Sequence, residues 1–147
     1  MNHAVTVHVS ASTLENLTSG NIVGEISLAG NGWVYPSKGW SDFPVIILGW
    51  WFVAIQRVGS RVGASALCKF MDGPYGFRVT SIDQKRWLIE CLAENGKGVA
   101  QSHELDAEAF LDQLQQAARE VVRACVKMRI ESVDLEHLQS LIRLDEK

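Results

Sequence analysis

Polar and apolar positions alternate near the start of the chain, where Val5, Val7 and Val9 are interleaved with Thr6, His8 and Ser10. A period of two places the valines on one face of a half-buried strand. Ser12-Thr13-Leu14-Glu15 matches a capping box, which predicts a short helical turn ended by Ser19-Gly20-Asn21. Ile22 to Leu28 reads as a second strand. Gly30-Asn31-Gly32 reads as a tight turn into the hairpin partner Trp33-Val34-Tyr35, closed off by Pro36.

From Phe43 to Ile55 nearly every position is apolar, so periodicity alone does not choose between helix and strand. Three features favour helix. Ser41 or Asp42 can cap a first turn, Pro44 is tolerated there, and the run is long for a strand. Arg57 and Gly59 then fit a helix C-terminus. A helix apolar on all sides must be covered on most of them, and any face left bare is a partner surface.

An antiparallel meander is expected next, with strands at Ala64 to Met71, Phe77 to Ile82, Arg86 to Ala93 and a short one around Val99 to Ser102. Asp72-Gly73-Pro74-Tyr75-Gly76 and Glu94-Asn95-Gly96-Lys97-Gly98 carry strong turn chemistry. Glu90 shares a strand face with Leu88 and Leu92, and Arg78 or Arg86 is its expected ion-pair partner. Asp106 caps the clearest helix, in which Phe110, Leu114, Ala117, Ala118, Val121 and Cys125 recur at helical spacing. A last helix runs from Val133 to Leu144 behind Ser132, and the tail Asp145-Glu146-Lys147 is expected to fray. Elements segregated in this way predict a single α+β domain over residues 1–147. The expected architecture is one antiparallel sheet of about five or six strands, with a central Trp-rich helix and C-terminal helices packed on one face.

Composition narrows the function classes. The 147 residues are 47% hydrophobic and 21% charged, with a net charge of −3. That balance argues against general binding to nucleic acid or anionic membranes and mildly favours a basic partner. The apolar run is too short to span a membrane, and the N-terminus shows no basic and apolar signal pattern. Cys68, Cys91 and Cys125 are odd in number and lack C-x-x-C spacing, which predicts reduced, buried thiols and a cytoplasmic setting. His3, His8, His103 and His137 form no metal-binding pair on one helix face, and neither a nucleophile elbow nor a phosphate loop is present. No metal and no cofactor is expected.

The carboxylates and aromatics offer more. Asp42 precedes the Trp-rich helix and Asp72 lies in a tight turn, where capping and turn formation already account for them. Trp33, Tyr35, Trp40 and Tyr75 flank loops, and aromatics beside carboxylates are a common composition for a binding surface.

The block Trp40-Ser41-Asp42-Phe43, continuing to Trp50-Trp51, and the block Phe70-Met71-Asp72-Gly73-Pro74-Tyr75 together cover about a quarter of the chain. In these blocks the chain resembles small bacterial proteins that look similar to immunity proteins of polymorphic-toxin and contact-dependent inhibition systems. The resemblance implies a non-enzymatic, cytoplasmic protein that binds one cognate toxin domain, such as a basic nuclease, and blocks it by occlusion. Asp42, Asp72 and Tyr75, with Trp33 and Tyr35 as aromatic anchors, are the candidate partner-binding residues. Immunity surfaces vary within such families, so the shared blocks also fit a scaffold role. Two other readings stay open. One is a small-molecule-binding domain or minor enzyme with a pocket lined by Trp40, Trp50 or Trp51 and served by His8 or His103. The other is a homodimer that buries the apolar surface of the Trp-rich helix.

Overall fold

Val5, Val7 and Val9 are buried and Thr6 and His8 exposed, as their alternation requires, and Thr6–Val9 forms β1 in a computed structural model of the chain. The structure describes residues 5–17, 21–59 and 61–145. His3, the Ser19-Gly20 stop and the Glu146-Lys147 tail lie outside those residues.

Two antiparallel sheets and three helices make an α+β fold. In the first sheet, β2 (Glu15–Asn16), β4 (Trp33–Tyr35) and β5 (Ser41–Asp42) all pair, like β1, with the long β3 (Ile22–Gly30). Leu28 faces both Val7 and Tyr35, so β1 and β4 occupy opposite edges of β3. The turn between β3 and β4 is the expected one, and Gly32 takes a φ of 82°, a conformation that glycine adopts without steric cost. The second sheet is the expected meander, in the order β6 (Ser65–Lys69), β7 (Gly76–Ser81), β8 (Arg86–Leu92) and β9 (Val99–Asp106). The antiparallel α+β class therefore holds, with the strands divided between two sheets instead of one. Both edges of the central β3 are occupied by its own neighbours, which leaves it no edge for the meander to extend.

The Trp-rich segment is a helix, α1 (Pro44–Val58), packed against β3, β6, α2 (Ala107–Lys127) and α3 (Val133–Asp145). Pro44 sits in its first turn and Gly59 at its C-cap, as expected, but the N-cap residue is Phe43 and no side chain caps it. Asp42 has another task, described below. Val45, Ile47, Leu48, Trp51, Phe52, Ile55 and Val58 are buried, while Trp50 is 44% exposed and Val53 37% exposed. The helix thus leaves one narrow apolar stripe bare.

Asp106 caps α2 by accepting from the Ala109 N–H at 2.9 Å, and Ser132 Oγ does the same for Leu135 in α3 at 3.0 Å. The capping box at Ser12 is not used. Ala11–Thr13 is a single 3-10 turn, and Glu15 goes into β2 opposite Val23. Thr13 Oγ1 donates to Ser10 O and accepts from Glu25 N, so the local bond competes with helix propagation. β9 is twice the expected length. Glu90 stands opposite Arg78 across β7 and β8, whereas Arg86 pairs with Asp83 at 3.1 Å and Glu104 at 3.4 Å.

The core is continuous from β1 to α3, and aromatic edges fill its centre. Trp51 meets Phe70 at 5.2 Å and Phe77 at 4.9 Å, and Phe77 meets Phe110 at 6.3 Å. Trp51 is fully buried, and its Nε1 donates to Lys69 O at 2.8 Å. Trp51→Ala is expected to cost about 3–5 kcal/mol, combining the lost burial with a cavity at the junction of α1 and β6. Equilibrium urea unfolding measures this, and a loss below about 1 kcal/mol contradicts the packing described.

Candidate functional site

Asp42 is 3% exposed, and a carboxylate so placed must find donors inside the protein. It finds three. Oδ1 accepts from the Phe43 N–H at 2.9 Å, and Oδ2 accepts from Trp40 Nε1 at 3.0 Å and from the Asp72 N–H at 3.1 Å. The first two donors are its neighbours in sequence. The third lies thirty residues on, in the other block, so one buried side chain joins the two blocks in space.

The aromatics of the two blocks pack around this junction. Trp40 meets Tyr75 edge-on at 5.1 Å and Phe70 at 6.5 Å, and Tyr35 meets Tyr75 at 5.9 Å. The turn from Met71 to Tyr75 closes with the Phe70 N–H donating to Tyr75 O at 3.2 Å. Gly73 has a φ of 75° within it, and a Cβ there would stand 3.2 Å from the Tyr75 ring. Both facts disfavour a larger residue. Within the turn, Pro74 abuts Gly96 of the β8–β9 hairpin.

Tyr35 locks the same region from the other side. Its hydroxyl accepts from the Gly76 N–H at 3.0 Å, and its one proton serves the carbonyls of Gly76 and Leu92, both at 2.8 Å. Trp33 makes the second bridge between the sheets by stacking on His103 of β9, with ring centroids 4.1 Å apart and planes 9° from parallel. The Trp33 indole lies where a Cβ on Gly30 would stand, so glycine is required there.

Of the five candidate partner-binding residues, the structure brings Asp42, Asp72, Tyr75 and Tyr35 into one cluster and sets Trp33 on the inter-sheet bridge. Their exposures differ. Asp72 is exposed, Tyr75 and Trp33 are half-buried, and Asp42 and Tyr35 are buried with their polar atoms engaged. Asp42 and Tyr35 therefore act on the surface by holding it. Met71, which is 38% exposed and apolar, belongs to the same turn and was not singled out from sequence. Only its place next to Asp72 in a turn could have pointed to it.

Of the tryptophans read as a possible pocket lining, Trp40, Trp50 or Trp51, the last is sealed in the core, Trp40 bonds Asp42 and Trp50 is 44% exposed. His8 lies 3.5 Å from Glu25, and His103 lies under Trp33. Among the described residues no group of three His, Cys, Asp or Glu side chains could hold a metal ion. The three cysteines are buried, as expected. Burial pushes the Cys91 thiol up to about 12 and raises those of Cys68 and Cys125, so none is a ready nucleophile at neutral pH. Among the described residues no helix is long and apolar enough to cross a membrane. No protein-family model matches the chain, and comparison with curated proteins and with solved structures finds no match.

Two outcomes are expected from this geometry. Asp42→Asn keeps the shape but turns an amide N–H₂ towards buried donors, and it should cost about 2–4 kcal/mol in urea unfolding. A variant as stable as the parent contradicts the three-donor arrangement. Alkali should also weaken the fold. Burial pushes Tyr35 up from 10.0 to about 12, and Cys91 rises from 9.0 to about 12. In both cases the folded state holds the proton more tightly than the unfolded chain does. Their contribution is complete below pH 9 and is lost as pH rises towards about 12. The urea midpoint should fall over that range, and less steeply in Tyr35→Phe, whereas a flat midpoint contradicts the burial of both groups.

Proposed function

We propose that the chain is a cytoplasmic immunity-type binding protein that neutralises a cognate bacterial toxin domain by covering it. In this reading the covering surface is centred on the Met71–Tyr75 turn. The observation that carries it is the division of labour within the two blocks. Buried Asp42 and Phe70, with half-buried Trp40, anchor a turn that presents Met71, Asp72 and Pro74 to solvent with Tyr75 at its base. A rigid turn offering an apolar side chain, a carboxylate and an aromatic ring loses little entropy on binding and suits a small, specific interface. The net charge of −3 favours a basic toxin domain, with gains mainly in encounter rate and discrimination. Occlusion requires no chemistry from this chain and no cofactor.

The exposed stripe of Trp50 and Val53 on α1 supports a second reading, a homodimer that buries it. The two readings differ in what they bury, so one set of variants separates them. The tagged chain should capture the C-terminal domain of one large secreted protein from its own cells. That domain should be toxic when expressed alone and harmless when co-expressed with this chain. Asp72→Lys and Tyr75→Ala should each abolish protection and weaken binding at least tenfold, by about 1.4 kcal/mol or more, while Glu131→Lys in the α2–α3 connection leaves both unchanged. Recovery of the chain with itself alone, and a dimer mass that Trp50→Glu abolishes, would move the assignment to the homodimer.

A further inference from the structure

A cleft of about 680 Å³ lies between α1, α2 and the turn that joins β7 to β8, within the size range of small-molecule sites. It shares no residue with the Asp42 cluster. Its walls are built by ordinary local rules. Asp83 Oδ1 accepts from the N–H groups of Lys85 and Arg86 at 2.8 and 2.9 Å, and these bonds, with that from Arg86 Nε, hold its carboxyl below the usual range. The resulting tight turn sets Gln84 at the cleft's mouth. Phe52 and Ile55 of α1 and Leu111 of α2 supply an apolar lining.

The informative residue is Trp87, at the start of β8. It is 2% exposed and lines this cleft, and its Nε1 is buried with no acceptor in the protein. The indole N–H groups of Trp40 and Trp51 show the usual outcome, since each has an oxygen within 3.0 Å. Buried donors are nearly always paired, and one left over in a residue that lines a cleft can be completed by a ligand's acceptor once the side chains over it move.

The rest of the lining narrows the ligand class. Glu108, Asp112 and Arg119 all line the α2 side, so this wall carries both signs of charge and favours neither a simple anion nor a simple cation. A bare metal or simple ammonium cation carries no acceptor for the Trp87 N–H. A purely apolar ligand would use none of the cleft's polar groups, the Trp87 N–H included. Hydroxyl groups both donate and accept, so they satisfy an indole N–H, carboxylates and amides together. We propose that this cleft binds a neutral polyhydroxylated molecule, a sugar or cyclic polyol, one of whose oxygens accepts from Trp87 Nε1. The C–H face of its ring lies against the apolar lining, and the exposed side chains of Gln84 and Gln116 move to admit it.

The test is a titration of the ¹⁵N-labelled full chain with D-glucose, D-galactose, N-acetyl-D-glucosamine and myo-inositol, with inorganic phosphate and putrescine as charged comparators. At least one neutral probe should shift the Trp87 indole resonance saturably, at millimolar or lower concentration. Trp87→Phe, which keeps a ring but removes the donor, should weaken that binding about tenfold. The exposed-site variants Asp112→Ala and Gln116→Leu should weaken it as well, and they keep the test valid should Trp87→Phe not fold. The proposal is overturned if no neutral probe moves the Trp87 resonance, if phosphate or putrescine moves it instead, or if affinity is unchanged in the variants.

Discussion

A carboxylate taken out of water must be surrounded by donors, and Asp42 meets that requirement with three. Two come from its own segment and set the path of the chain from β5 into α1. The third is the backbone N–H of Asp72, which holds the β6–β7 turn against the start of that helix. Removing the acceptor would take from three N–H groups the one side chain that they share. The turn, the helix start and the edge of the first sheet are therefore fixed together or not at all.

Around that junction the two sheets are held by side chains instead of shared strands. Tyr35 reaches from β4 to backbone groups at Gly76 and Leu92, and Trp33 on the same strand stacks on His103 of β9. Helix α1 fills the space between the sheets and the C-terminal helices, and it buries all but a strip of its surface. The exposed turn at Met71–Tyr75 is thus mounted on a rigid base, which is what a binding surface of modest size needs. The cleft at Trp87 draws on different parts of the fold, the helix pair and the β7–β8 turn, so the two can be altered separately.

Much of this was legible where one local pattern decides the outcome. The valines of β1, the alternation of Phe77 and Val79 with Arg78 and Thr80, the helical spacing in α2 and the caps at Asp106 and Ser132 all formed as their periods and end residues require. The failures have a common physical source, a partner far away in sequence. The Ser12 capping box lost to Thr13 bonding across to β3. The length of β9 was hidden because Gln101 and His103 are polar residues on the inner face, and a tryptophan from the other sheet covers His103. Asp42 read as a cap because nothing in the sequence marks a backbone N–H thirty positions on as its partner. For the same reason the candidate residues could be named as a group but not sorted into those that hold the surface and those that form it.

Amide hydrogen exchange by NMR tests the central claim directly. If Asp42 ties the blocks together, the Asp72 backbone N–H and the Trp40 indole N–H exchange slowly in the parent chain despite lying at a turn and a half-buried ring. Both should then become fast in Asp42→Asn, while protection in α2 is retained. Exchange of the Asp72 N–H at the rate of an open turn in the parent, or protection unchanged by the substitution, would contradict the account.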